Sequence, residues 1–159
     1  MKAAEVAAVS RLVIASIRQG FAGSYSPATI EAVTLGNSVE AISRHAPRQT
    51  DYVLRSESRI VGMIGLKRNE IGHLFVHPAE SARGHGRMLV DFARKTFLDM
   101  GHAEMVVLAS LNSVGFYARC GFAERARGSF DVGDGLPLEY VRMTCEIGGR
   151  NANLGTEGD

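Results

Sequence analysis

The amino-acid sequence predicts an α/β sandwich, in which a mixed central sheet carries helices on both faces. Three observations predict it. Apolar residues in the first third recur every three or four positions. From Asp51 onward the period falls to two. After Ser81, short strands alternate with helices. The 159 residues suit one core rather than two. Hydrophobic residues make up 45% and charged residues 22%, which favours a globular domain over a disordered chain.

Each element has its own signal. Val6, Val9, Val13 and Ile17 form the stripe of a first helix, and Gly20 is its expected stop. Ser26-Pro27 starts a second, with a capping hydroxyl followed by proline where no N–H is needed. Gly36-Asn37 breaks it. Asn37 and Glu40 predict a capping-box start for a third helix, reaching about His45. Tyr52-Val53-Leu54 and residues 60–64 flank Ser56-Glu57-Ser58 as a hairpin. A third strand runs over Glu70–Val76 and ends at Pro78. The helix after residue 86 places Leu89, Phe92, Ala93, Phe97 and Met100 on one face, with Gly101 as its stop. Residues 105–109 form an apolar strand of the sheet centre. Residues 113–120 form a short helix closed by Gly121. Strands over 122–127 and 138–147 finish the fold. No strand signal precedes the first helix. Residues 1–147 are expected to form a single domain. Residues 148–159 hold one large apolar side chain, Leu154, and are expected to be a flexible tail.

Composition excludes several function classes. Lys+Arg is 18 and Asp+Glu 17, a net charge of +1, which argues against a broad nucleic-acid surface. Two cysteines, Cys120 and Cys145, are too few for a disulfide framework. Neither has a histidine partner in a nucleophile motif, so both read as small buried hydrophobes. The longest apolar run is Met105-Val106-Val107-Leu108-Ala109, far short of the roughly 20 residues that span a bilayer. No secretory leader pattern is present either, so a cytoplasmic protein without a membrane partner is expected.

The most informative segment is Ser81, Ala82, Arg83, Gly84, His85, Gly86 and Arg87, between a strand and a helix. Gly84 and Gly86 let the backbone bend sharply and approach a ligand. Amide N–H groups converge at the helix start, where the macrodipole favours an anion. Arg83 and Arg87 add positive charge, making a pyrophosphate cradle one reading and a tight connection the other. A Walker loop needs Gly-Lys-Ser/Thr, and Gly86-Arg87-Met88 stands here. A dinucleotide fingerprint needs a third glycine where Leu89 stands.

The pattern comprises Glu70-Ile71-Gly72-His73-Leu74-Phe75-Val76-His77-Pro78, residues 81–86 with Met88-Leu89, then Ala109-Ser110-Leu111-Asn112-Ser113-Val114-Gly115-Phe116-Tyr117 and Gly121-Phe122. In this order and spacing it resembles the GNAT superfamily of acyl-CoA-dependent N-acyltransferases, most strongly over residues 70–122. The resemblance implies a mixed, mostly antiparallel sheet flanked by helices, with acetyl-CoA as co-substrate. The family signature Gln/Arg-x-x-Gly-x-Gly/Ala falls on residues 81–86, whose amides would bind the pyrophosphate. Backbone groups of Leu74, Phe75 and Val76 would pair with pantetheine as an added strand. Asn112 stands where relatives often contact CoA. Tyr117 stands where many members protonate the departing thiolate. Ser81 departs from the pattern, since its hydroxyl carries no charge. A non-catalytic acyl-CoA-binding sensor on the same fold is the alternative function.

Acyl transfer to an amine needs a neutral amine, a stabilised oxyanion and a leaving thiolate. Neutralising a lysine-like amine at pH 7 costs roughly 4–5 kcal/mol, which a base offsets in part. Glu70 is the first candidate base. It opens the third strand, and the resemblance places it at the catalytic glutamate of the histone-acetyltransferase branch, eleven residues before Ser81. Its bland reading is a strand-end salt bridge. His73 and His77 are weaker candidates, and His77 beside Pro78 reads as structural. On a strand they stand roughly 13 Å apart, too far to share a metal, so no metal is expected. The oxyanion would meet a backbone N–H near Phe75 or Val76 if the strand bulges there. Tyr117 is protonated at pH 7 and can donate; its bland reading is packing beside Phe116. His85 borders the loop, and His45 and His102 sit at helix ends. Phe21, Tyr25, Phe130, Asp131 and Asp134 are the expected acceptor-pocket residues. The expectation is direct acetyl transfer to a primary amine of a small molecule or peptide, with a homodimer left open.

Overall fold

The computed structural model describes residues 3–44 and 49–149. Three helices come first: α1 (Ala3–Gly20), α2 (Pro27–Gly36) and α3 (Val39–Arg44). β1 (Thr50–Ser56), β2 (Arg59–Lys67) and β3 (Glu70–Val76) follow. Then come α4 (His85–Asp99), β4 (Glu104–Ser110), α5 (Val114–Arg119), β5 (Ala123–Asp131) and β6 (Pro137–Glu146). Short 3₁₀ turns at Pro78–Glu80 and Leu111–Ser113 precede α4 and α5.

The helix starts follow side-chain capping. Ser26 Oγ accepts the Thr29 N–H at 3.1 Å and opens α2. The expected cap of α3 is displaced by one residue, because Ser38 Oγ, not Asn37, accepts the Ala41 N–H at 3.2 Å. Asn37 instead closes α2. Its backbone N–H donates to Thr34 O, and its side-chain amide donates to Val33 O at 2.8 Å. An asparagine amide is a donor, and the end of a helix presents carbonyls, so this role fits it. His45 and residues 150–159 of the expected tail lie outside the described residues.

The sheet has six strands in the order β1-β2-β3-β4-β6-β5. Only β3 and β4 run parallel; every other neighbour pair is antiparallel. The mixed, mostly antiparallel sheet with helices on both faces is therefore present. β1 and β5 are its edges. β5 carries Glu124, Arg125 and Arg127 at exposed positions, which discourages further strand pairing.

Two apolar layers sandwich the sheet. On one face α4 and α5 pack against Ile64, Leu66, Ile71, Met105, Val107, Val141 and Met143. On the other face Val9, Leu12, Val13 and Ile17 of α1 pack with Phe21 and Met63. Alternation along β2 sends Ile64 and Leu66 to the first layer and Met63 to the second. In α4 the buried residues are Leu89, Val90, Ala93 and Phe97. Phe92 and Met100, expected inside, are 40% and 60% exposed. Phe92 lies about 100° around the helix from Ala93, so its ring rests outside, edge-on to Tyr52 at 4.8 Å. Among the described residues no helix is long and apolar enough to cross a membrane.

Phe97 is fully buried where α4 meets the sheet. Phe97→Ala is expected to lower stability by about 3–5 kcal/mol. Urea denaturation with an unchanged slope checks this, and a loss below about 1 kcal/mol contradicts the packing described.

Candidate active site

β3 and β4 are joined only at Glu70 with Val106 and Ile71 with Val107. Beyond this seam the strands part, and a cavity of about 830 Å³ opens between them. His77 N donates to Val61 O at 2.8 Å, which fixes the alternation along β3. His73 and Phe75 turn their backbone groups to β2, and Leu74 and Val76 turn theirs to the gap. Phase alone therefore gives Leu74 and Val76 the backbone groups that a ligand can reach. Phe75 lines the cavity too, with its ring packed toward the α1 layer. The bulge expected near Phe75 or Val76 lies earlier. Gly65 pairs with His73 while Leu66 pairs with Ile71, so Gly72 is the extra residue.

The loop after β3 is bent by Ala82 (φ 61°) and Gly84 (φ 80°). The left-handed region costs an alanine roughly 1–2 kcal/mol, so neighbouring contacts must hold it there. Glu80 gathers the side chains around this turn. It is 7% exposed, and its carboxylate meets Arg83 at 3.2 Å, Arg59 at 3.4 Å and His85 Nε2 at 3.6 Å. Sequence reading passed over Glu80, because an acidic residue beside an anion loop carries no motif. A Cβ on Gly86 would stand 3.0 Å from the Phe116 ring. The first helical bond of α4 is Met88 N to Gly84 O at 3.0 Å. The amides of His85, Gly86 and Arg87 therefore lack intrahelical acceptors. His85 Nδ1 is buried without a partner among the described residues. Ser81, Ala82, Gly84, His85, Gly86 and Arg87 all line the cavity. These features fit a diphosphate. Arg83 pairs with Glu80, and Arg87 donates to Arg119 O at 3.2 Å.

The same cavity is also lined by Glu70, His73, Phe21, Tyr25, Phe130, Glu139 and Tyr117. Glu70 is half-buried and makes no ion pair among the described residues. Tyr117 is buried, with its ring edge-on to Phe116 and Phe122. Burial pushes its phenol well above the ordinary range, and Cys120 adds to this, so it keeps its proton. Tyr25 Oη donates to Glu139 O at 2.6 Å and accepts the Leu111 N–H at 2.8 Å. Burial and Glu139 raise its pKa more than the Leu111 bond lowers it. Asn112 lines the cavity and abuts Gly20, where a Cβ would stand 2.9 Å from its amide nitrogen.

Asp131 and Asp134 do not line the cavity. Asp131 Oδ1 accepts the Gly133 N–H at 2.8 Å, and Asp134 takes a left-handed turn conformation (φ 51°). Both shape the β5–β6 turn, and Glu139 is the carboxylate that β6 contributes instead. His77 Nδ1 accepts the Ala79 N–H and caps the 3₁₀ turn. Both cysteines are buried, and burial pushes the Cys120 thiol up despite nearby arginines. Among the described residues no three His, Cys, Asp or Glu side chains gather as a metal site requires. Beside the cavity, His73 Nε2 stands 3.2 Å from Asp51 Oδ1. Burial raises the Asp51 carboxyl, but bonds from His73 and Gln49 outweigh it and leave the group below its ordinary range.

The acetyltransferase (GNAT) domain model matches residues 21–147. A GCN5-related N-acetyltransferase from Rhodopseudomonas palustris is 26% identical, with a TM-score of 0.83 and coverage of 91% of each chain. PaiA N-acetyltransferase from Thermoplasma acidophilum, in complex with coenzyme A, is 21% identical with a TM-score of 0.70. The match covers 92% of this chain and 95% of that one. Apo YjaB from Escherichia coli is 19% identical with a TM-score of 0.71, over 91% and 92% of the two chains. No curated protein matches the sequence.

A carboxyl held below its ordinary value stabilises the fold above that value and loses this contribution as pH falls through its native value. The melting-temperature gap between wild type and Asp51→Asn is expected at pH about 6 and should shrink below about 4. A gap unchanged by acid contradicts the pairing of Asp51.

Proposed function

The chain belongs to the GNAT acetyltransferase family, and from that premise we propose that it transfers an acetyl group from acetyl-CoA to a primary amine. The acceptor is a small molecule or peptide, and transfer is direct within a ternary complex. The observation that carries this reading is one continuous cavity. It runs from the glycine loop, past the free backbone edge of Leu74 and Val76, to Glu70, Tyr117 and the aromatic walls of Phe21, Tyr25 and Phe130. Donor and acceptor thus share one space.

Bound there, acetyl-CoA supplies an acetyl group activated as a thioester. The amides of His85, Gly86 and Arg87, with the Ser81 hydroxyl, hold the diphosphate at the helix start. Leu74 and Val76 offer backbone groups to the pantetheine arm, and Asn112 lies beside it. Val76 N–H faces the gap and can polarise the carbonyl. Tyr117 keeps a proton on Oη for the sulfur. Glu70 takes the ammonium proton of the acceptor, directly or through water. Neither cysteine lines the cavity, which supports direct transfer over a thioester on the enzyme. Glu70 and Glu139 favour a cationic amine, and the aromatic walls favour one with an apolar body. The composition supports a cytoplasmic setting, with no nucleic acid or membrane as partner; a homodimer fits equally.

Thermal shift with acetyl-CoA, ATP and NAD tests the donor. Acetyl-CoA alone is expected to stabilise the protein, and a preference for ATP overturns the assignment. Thiol release over an amine panel tests catalysis. Tyr117→Phe and Glu70→Gln are each expected to lower turnover about tenfold or more while the acetyl-CoA shift persists. Binding without turnover on any amine favours an acyl-CoA sensor, to which the uncharged Ser81 is also suited.

A further inference from the structure

β5 is an edge strand of small, polar and charged residues, with one exception. Phe130 is its only large apolar residue, and it stands 48% exposed on the cavity wall. Edge strands favour charges over such a ring, so its apolar face is a surface for a ligand to cover. The Phe130 ring lies 4.7 Å from that of Tyr140 on β6, tilted by 34°. Gly128 stands opposite Tyr140 in the ladder, and a Cβ on it would collide with the phenol. The missing side chain thus lets the Tyr140 ring lie across β5. Phe21 and Tyr25 form a second pair at 4.7 Å, tilted by 43°. Tyr25 Oη donates to Glu139 O, next to Tyr140, so the second pair is fastened beside the first. All four rings line the cavity.

Strand alternation sorts the charges around them. Leu138 belongs to the α1 layer, and Val141 and Met143 belong to the α4 layer. Phe130 pairs with Leu138, and Tyr140 stands two residues from it, so both rings are on the α1 side. Glu139 takes the side of Val141. Glu70 precedes Ile71 of the α4 layer and so points to the α1 side. Glu80 is matched by Arg59, Arg83 and His85. Of the carboxylates that line the cavity, Glu70 alone is both unmatched and on the side of the rings.

We infer that the acceptor is a monoamine with a flat aromatic body, an arylalkylamine, whose ring lies against Phe130 and Tyr140. This rests on the acetyl transfer proposed above and narrows its acceptor. The ligand's ring covers the exposed face of Phe130. Aromatic pairs gain from tilted and edge contacts beyond the area they bury, so a flat ring is favoured over an alkyl body of equal size. A polyamine brings further ammonium groups to this side, where no second carboxylate meets them. A peptide brings backbone N–H and C=O groups, which apolar rings leave unpaired. One amine on one aromatic body meets neither cost.

The test is kcat/KM with acetyl-CoA for phenethylamine, cyclohexylethylamine, spermidine and trialanine. The first two share one skeleton and differ in the flatness of the ring. Phenethylamine is expected to lead cyclohexylethylamine by about fivefold, and to lead spermidine and trialanine by more. Phe130→Leu keeps an apolar side chain without a ring. It is expected to bring the two ring amines within about twofold of each other, through KM rather than kcat. Equal values for the two ring amines in wild type, or a lead for spermidine or trialanine, overturn the inference and leave acetyl transfer standing. A phenethylamine preference that Phe130→Leu leaves intact overturns the place given to the ligand's ring. Absence of thiol release with these and every other amine overturns the transfer itself, and the inference with it.

Discussion

The site depends on the short seam between β3 and β4. Each strand is fully paired to its outer neighbour, β3 to β2 and β4 to β6, and the two halves of the sheet share only two residue pairs. Twist then carries the halves apart. Backbone groups without partners are costly when buried, so this gap is stable only as a surface that something polar can reach. The chain leaves β3 at the gap, turns through the glycine loop, crosses as α4 and returns as β4. Loop and parting are thus products of one crossover. α5 follows β4 and brings Tyr117 to the opposite wall. No single segment makes the cavity, which forms wherever the two half-sheets fail to close.

The acceptor side is set by smaller departures from regularity. The Gly72 bulge changes the phase of β3 once, so Glu70 and His73 share a face while Ile71, Leu74 and Val76 stay with the α4 layer. Tyr25 then ties this side together, since one hydroxyl bonds the backbone at Leu111, after β4, and at Glu139, on β6. The loop between α1 and α2 is thereby fastened to both strands beyond the gap. A wall built from the first helices keeps a fixed distance from the sheet although no strand connects them.

Local chemistry was legible in the sequence, and long-range register was not. Period, proline and glycine gave the order of elements, and Ser26-Pro27 gave the start of α2. The glycine loop was visible because its geometry is written in consecutive residues. Asn37 was misplaced by one residue because asparagine suits both ends of a helix, and Ser38 beside it was the better acceptor. Phe92 was misplaced because an aromatic next to a buried stripe looks like part of it. Asp51 and His73 could not be linked, since their meeting depends on the register of two strand pairs and on the identity of Gly65 between them. Glu80 was missed for a similar reason, because Arg59 reaches it from β2.

Glu80 also bears on the anion site proposed for the loop. In the sequence, Arg83 and Arg87 stand as positive charge beside the uncharged Ser81. In the fold the Arg83 guanidinium faces the buried Glu80, whereas Arg87 donates only to the neutral Arg119 carbonyl, lines the cavity and keeps its full charge. A buried carboxylate left alone is strongly unfavourable, which keeps Arg59, Arg83 and His85 gathered on it beside the left-handed turn at Ala82. Under the proposed function, attraction for a diphosphate comes from the N–H groups at the start of α4, with Arg87 beside them. Glu80 opposes an anion by its charge. That opposition is limited because its charge is already matched within the protein, whereas the amides have no partner of their own.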